Sequence, residues 1–147
     1  MSTDPALLRT VADRQEIMLL LGRIAQLADH GDVEDYLDCF TADAVWDLVH
    51  ATGLPLEAGP ISGREALREG VRERRAAGIQ GPGSATRHDV STITVEVSGD
   101  TARSRAYFRY YRATDATPVL TAMGGYDDEL VRTPAGWRVR RRVIRRE

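Results

Sequence analysis

The spacing of apolar residues changes once along the chain. In the first half, Ile17, Leu20, Leu21, Ile24, Leu27 and Ala28 recur at the three- and four-residue intervals of one helical face. Asp13 followed by Glu16 has the form of a capping box, so the spacing predicts a helix from there to about Ala28, stopped by Gly31. Asp4-Pro5 marks the start of a separate, short helical piece ahead of it. Asp32 is placed to cap a second helix, from Val33 to about Phe40. Ser62 with Glu65 forms another box, opening a helix that runs to Ala77 before Gly78. Between these, residues 45–49 read as a short strand. Residues 51–61, with Gly53, Pro55, Gly59 and Pro60, read as a loop or weak hairpin.

Beyond Gly83 the period shortens to two. Four strands are predicted, over about 85–97, 101–113, 119–131 and 137–144. The turns Ser98-Gly99-Asp100 and Thr133-Pro134-Ala135-Gly136 leave gaps so short that the pairing must be antiparallel. Strands this long suit a curved sheet with bulges. Within 101–112, Ala102, Ser104, Ala106, Phe108 and Tyr110 share one face; Arg103, Arg105, Tyr107, Arg109 and Tyr111 share the other. The preceding strand is less regular. His88, Val90 and Thr92 fall on one face and Ile93, Val95 and Val97 on the opposite one, so either a bulge near Ser91 exchanges the faces or both are partly buried; the bulge is preferred. Helices followed by strands, without alternation, predict an α+β fold with a mainly antiparallel sheet.

Composition narrows the class. The length of 147 residues fits one domain, and 42% apolar with 29% charged residues is globular composition. A single cysteine, Cys39, excludes an internal disulfide framework and fits a reducing compartment; beside Phe40 it reads as core. Acidic and basic residues nearly cancel (22 against 20, net −2), which argues against a general nucleic-acid binder. No apolar run reaches membrane-span length, and the start MSTDPALLRT lacks the basic end and apolar stretch of a signal peptide. The expectation is a soluble, cytoplasmic protein. Every basic residue is arginine, so Schiff-base chemistry and a P-loop lysine are excluded. In the C-terminal strand, Arg138, Arg140 and Arg142 alternate against Trp137, Val139 and Val143 and read as a solvated outer face.

Two residues stand out chemically. Asp29 ends the long helix, where the macrodipole is negative, and reads either as a proton-transfer carboxylate or as a solvated one in the DHGD turn. His88 opens a strand beside Asp89; its side chain suits proton transfer near neutral pH, and alone it also fits a hydrogen-bonded strand-edge histidine. His30 and His50 are weaker candidates. Three scattered histidines and one cysteine give no metal-ligand spacing. Gly81-Pro82-Gly83 lacks the third glycine and following helix of a nucleotide loop, and no G-x-S-x-G elbow occurs. No metal and no cofactor is expected. Trp46, Phe108, Tyr110 and Tyr126, with Tyr107 and Tyr111, fall on strands, where two or three can line a pocket and a tyrosine hydroxyl can orient a carbonyl.

The segments LADHGD, EDYLDCFTADAVWDL, GREAL, TRHDVSTITVEVSGDTARSRAYFRYY and GGYDDELVRTPAGWRVRRRV together resemble the SnoaL-like branch of the cystatin-like superfamily, from about Val11 to Ile144. That superfamily includes polyketide cyclases, scytalone dehydratase, ketosteroid isomerase, limonene epoxide hydrolase and a hexachlorocyclohexane dehydrochlorinase. The resemblance implies a single SnoaL-like domain over residues 1–147, folded as a cone-shaped α+β barrel. Its curved, mainly antiparallel sheet wraps around the N-terminal helices and leaves a deep pocket at the open end. In the dehydratase and dehydrochlorinase members, an aspartate after the first long helix and a histidine opening the first long strand form an acid–base pair, and Asp29 and His88 fall on those positions. His88 is then the general base and Asp29 orients it and balances its charge. The implied activity is a cofactor-independent dehydratase, isomerase or cyclase acting on a small apolar hydroxylated or carbonyl metabolite, such as a polyketide, terpenoid or steroid-like molecule. Trp46, Phe108, Tyr110 and Tyr126 would line the substrate site, with Tyr110 or Tyr126 steadying a developing oxyanion. A homodimer through the sheet is implied as well. The alternative within the same fold is a non-catalytic small-molecule-binding or accessory dimerisation domain. The chain departs from scytalone dehydratase in having no second histidine on the later strands.

Overall fold

The computed structural model describes residues 4–49 and 59–147. Its first element, α1 (Pro5–His30), is one continuous helix, not two pieces. Asp4 caps it by accepting the Ala6 N–H, with Pro5 pre-set in the first turn. Asp13 and Glu16 therefore cap nothing. The Asp13 carboxylate accepts from both terminal nitrogens of Arg132 and from Trp137 Nε1, and Glu16 accepts the Trp137 backbone N–H. The residues that resembled a capping box anchor α1 to the last two strands.

Gly31 ends α1 as expected, in extended backbone rather than a left-handed turn. A Cβ there would overlap Leu27 Cδ2 and stand 2.8 Å from Leu27 Cα, so the chain can leave the helix this tightly only without a side chain. Asp32 caps α2 (Val33–Leu37), which stops short of the expected Phe40. Phe40 instead opens β1 (Phe40–Val49), because Phe40, Ala44 and Leu48 all turn into the core. The short strand β2 (Gly59–Ser62) takes up the end of the expected loop; the rest of that loop, and His50, lie outside the described residues. The helix α3 (Arg64–Ala76) forms nearly where expected, but Gly63 occupies its N-cap with no side-chain bond, since Ser62 is held in β2.

Strands β3 (Thr86–Ser98), β4 (Thr101–Arg112), β5 (Val119–Thr133) and β6 (Gly136–Arg146) complete a six-stranded sheet in the order β2-β1-β6-β5-β4-β3. All neighbours are antiparallel except β1 and β6. The sheet does not close on itself; it is the cone-shaped α+β arrangement, with α1 packed against β3 and β6 and α3 against β1 and β2. The main core joins Ile17, Leu20 and Ile24 of α1 to Leu67 and Val71 of α3 and to Trp137 and Val139 of β6. Burying side chains of this size contributes roughly 1.5–3 kcal/mol each. A second cluster, Leu48, Ile79, Phe108, Tyr110 and Ile144, forms toward the other end of the sheet.

Two bulges decide which side chains face inward. The β3–β4 register shifts between Ser91 and Thr94, with Thr92 at φ 53°, so His88 shares the inner face with Val95 and Val97. On β4 the alternation is regular, with Ala102, Ser104, Ala106, Phe108 and Tyr110 all buried. The β5–β6 register shifts between Glu129 and Leu130, opposite Arg141 and Val139. This overturns the expected exposure of Arg142: past the shift the inner face passes from Val139 to Arg142 and Ile144, both buried. Among the described residues, no helix is long and apolar enough to cross a membrane.

Candidate active site

A cavity of about 100 Å³ lies between the second cluster and the helices. Its walls are mostly apolar: Ile24 and Ala28 from α1, Trp46 and Leu48 from β1, Phe108 and Tyr110 from β4, and Tyr126 from β5. His88, Arg74 and Arg142 bring polar groups to it. All four aromatic residues expected at a substrate site therefore line one space.

Asp29 sits in the last turn of α1 and is buried, not solvated in the turn. Both its oxygens are committed to one residue. Oδ2 accepts the His88 backbone N–H at 2.8 Å, and Oδ1 lies 2.7 Å from His88 Nδ1. A carboxylate in that position accepts, so Nδ1 carries a proton and, in the neutral imidazole, the lone pair is on Nε2. The ring rests against Tyr110, with centroids 4.9 Å apart, and against Phe108 at 6.5 Å. His88 borders the cavity while its side chain is only 16% exposed, so the ring is held by a buried acid behind and aromatic walls beside it. His30, the next residue, is exposed.

The two tyrosines differ. Tyr110 donates its hydroxyl to the Ile79 carbonyl at 2.5 Å. That proton is engaged by the backbone, so of the two tyrosines considered as oxyanion donors Tyr110 stands as wall beneath His88. Tyr126 stacks on Phe108 at 4.8 Å, with the Arg142 guanidinium 4.1 Å above its ring. Burial pushes the Tyr126 hydroxyl well above its ordinary value, which keeps it protonated and able to donate.

Three arginines of the cavity, Arg74, Arg142 and Arg146, were missed by the sequence reading. Arg142 donates from Nε and Nη2 to the two oxygens of Asp128, at 2.9 and 2.8 Å, in a bidentate buried pair. Burial works against its charge, and Asp128 more than offsets that. The available signal was Asp128 itself: it shares the inward parity of Gly124, Tyr126 and Leu130, and an acid on an apolar face calls for a base opposite. Arg74, on α3, lies over the Trp46 ring at 4.4 Å and is 5% exposed. Burial pulls its guanidinium below the ordinary value, with the Tyr36 hydroxyl acting in the opposite sense. Among the described residues, no three His, Cys, Asp or Glu side chains converge as a metal site. The arrangement offers an oriented imidazole base, a protonated phenol and guanidinium groups around an apolar space, the parts that proton abstraction and oxyanion stabilisation need.

The sequence model of the SnoaL-like domain matches residues 9–143. The chain is 32% identical over 136 residues to the uncharacterized protein Rv2910c of Mycobacterium tuberculosis, covering 90% of this chain and 84% of that one. Among solved structures it is similar to an NTF2-like protein with a cystatin-like fold from Novosphingobium aromaticivorans (30% identity, TM-score 0.78, 95% and 85% of the two chains). It is also similar to a single-residue variant of Rv3472, a protein of unknown function from Mycobacterium tuberculosis (26% identity, TM-score 0.75, 100% and 78% of the two chains). A match over nearly the whole sequence, together with the open cone of sheet and helices, places this chain in the SnoaL-like family of the cystatin-like fold.

Proposed function

We propose that the chain is a cofactor-independent acid–base enzyme of the dehydratase, isomerase or cyclase type, acting on a small hydroxylated or carbonyl metabolite with an apolar body. The observation that carries this reading is the double engagement of His88 by Asp29, which holds both its backbone and its ring. In this reading Nε2 takes a proton from carbon next to a carbonyl. Asp29 balances the positive charge the ring gains. The electron pair moves onto the carbonyl oxygen, where the Tyr126 hydroxyl donates to it. The imidazolium then returns its proton, to a departing hydroxyl in dehydration or to another carbon in isomerisation. The apolar walls keep bulk water from competing for it.

The reading extends to a cytoplasmic homodimer formed across the outer sheet face, where Tyr107, Leu120 and Met123 are exposed. Light scattering at micromolar concentration is expected to give twice the chain mass; a monomer counts against the dimer alone.

The chemistry is tested without knowing the substrate. Cyclic and β-hydroxy ketones in D2O are expected to exchange α-hydrogens faster in the presence of the protein, read by proton NMR. His88→Gln should lose that acceleration by about 10²-fold or more. Equal exchange by wild type and variant, with ligands recovered unchanged, would instead favour the binding domain.

A further inference from the structure

Six buried side-chain atoms among the described residues have no hydrogen-bond partner, and three belong to residues lining the cavity: Arg74 Nε, Gln80 Nε2 and Arg146 Nη1. All three are N–H donors. A space whose unmet groups all donate is built for an acceptor-rich guest.

The charges agree. Asp128 is taken up by Arg142 and Asp29 by His88. Among the described residues no carboxylate comes within ion-pair distance of Arg74. The acids of α3 that do pair, Glu65 and Glu69, reach Arg68 and Arg72 on its outer side. With His88 neutral, Arg74, Arg142 and Arg146 outnumber Asp29 and Asp128 by one; among the described residues neither Arg74 nor Arg146 makes an ion pair, and Arg74, on α3, is the more deeply buried of the two.

Its seat is specific. The Trp46 ring fixes the plane of the guanidinium at 4.4 Å. Gly70, one turn earlier, leaves the space it fills, since a Cβ there would stand 3.1 Å from Arg74 Nη1 and 3.0 Å from Ile61 Cδ1. A planar, pre-positioned, desolvated guanidinium whose Nε–H has no partner matches a carboxylate better than any neutral group.

We infer that Arg74 anchors a substrate carboxylate, so that the cavity takes a small cyclic carboxylic acid and Arg74 decides its specificity. The cavity volume of about 100 Å³ is below the roughly 150 Å³ of a closed cavity that holds benzene, so the guest is no larger than a single ring and reaches toward the open side. This rests on reading the cavity as the substrate site, and it adds the chemical class of what enters. Arg74 here is a binding residue; the proton chemistry stays with His88.

The test compares benzoate with benzamide, which share a shape and differ in charge, by NMR shift titration of the full-length protein. Wild type is expected to bind benzoate at least about tenfold more tightly. Arg74→Gln should bring the two within about threefold, Arg74→Lys should keep part of the preference, and His88→Gln should keep all of it. Equal affinities in wild type, no benzoate binding at millimolar concentration, or a preference that survives in Arg74→Gln overturns the inference. If Arg74→Gln does not fold, the wild-type and Arg74→Lys titrations still decide it. Affinity reads Arg74 and hydrogen exchange reads His88, so either proposal can fail while the other stands.

Discussion

Asp29 and His88, 59 positions apart, meet through two hydrogen bonds from one carboxylate: 2.7 Å to the ring and 2.8 Å to the backbone N–H. One acid thus sets both where β3 begins and which nitrogen of the ring holds the proton. Asp29→Asn is the telling change. If the amide oxygen keeps the His88 backbone N–H, the amide NH2 faces Nδ1, and the ring proton must move to Nε2. Nitrogen-15 shifts of neutral His88 are expected to report the Nδ1–H tautomer in wild type and the Nε2–H tautomer in the variant. α-Hydrogen exchange should fall by roughly 10²–10⁴-fold, because the base has lost its lone pair on the cavity side. An unchanged tautomer would mean that the acid does not orient the ring.

The pair that ties α1 to β5 should make stability depend on acid. Arg132, donating to both oxygens of Asp13, holds that carboxyl down at about 2, against an ordinary value of 3.8. The folded value lies below the unfolded one. The stabilisation is therefore complete above about pH 4 and is lost as pH falls through about 2. Asp13→Asn, which cannot accept this way, should cost about 1–3 kcal/mol at neutral pH. Urea midpoints of the two proteins should converge as pH drops from 5 toward 2. Parallel curves would show that Asp13 gives nothing that titrates.

Asp128 and Arg142 make a sharper case, because both are buried away from water. Removing one partner leaves a buried charge with nothing to balance it. Arg142→Met or Asp128→Asn alone should cost about 3–5 kcal/mol by chemical denaturation. The double change Asp128→Leu with Arg142→Met should cost less than either single one. A double variant as damaged as the sum would mean that the two act independently, against the geometry.

These sites also show what the amino-acid pattern could and could not convey. The switch from a helical period to a period of two, the inward set on β4, and a bulge turning His88 inward were all legible, because burial imposes them on side-chain type. Asp13 and Glu16 misled because a capping box and a tertiary anchor use the same residues; only the partner, more than a hundred positions away on Trp137 and Arg132, separates them. Arg142 misled because the register shift falls inside a run of arginines, where no residue type marks which side chain changes face. The Tyr110 hydroxyl meets a backbone carbonyl at Ile79, and carbonyls carry no sequence signal. Arg74 is one of several arginines on a strongly charged helix, and only the placement of α3 against Trp46 singles it out.

Two adjacent glycines on β5 separate close packing from backbone freedom. Neither has a positive φ, so neither is required by backbone conformation. At Gly124 a Cβ would overlap the Arg145 carbonyl oxygen and stand 2.7 Å from the Phe108 ring. The carbonyl belongs to the paired strand and can yield only by opening the β5–β6 ladder, while Phe108 is held by its stack on Tyr126. At Gly125 the nearest atom to a Cβ is the Ala106 carbonyl oxygen at 3.4 Å, an ordinary contact. Gly125→Ala should therefore be neutral or stabilising by up to about 1 kcal/mol, since alanine has less freedom to lose on folding. Gly124→Ala should cost about 1–3 kcal/mol and weaken ligand binding as well, because the displaced Phe108 ring borders both His88 and the cavity. Urea denaturation of the two variants side by side checks the first part and benzoate titration the second. Equal stability would mean that the strands separate there at little cost, and that the wall behind His88 is softer than its packing implies.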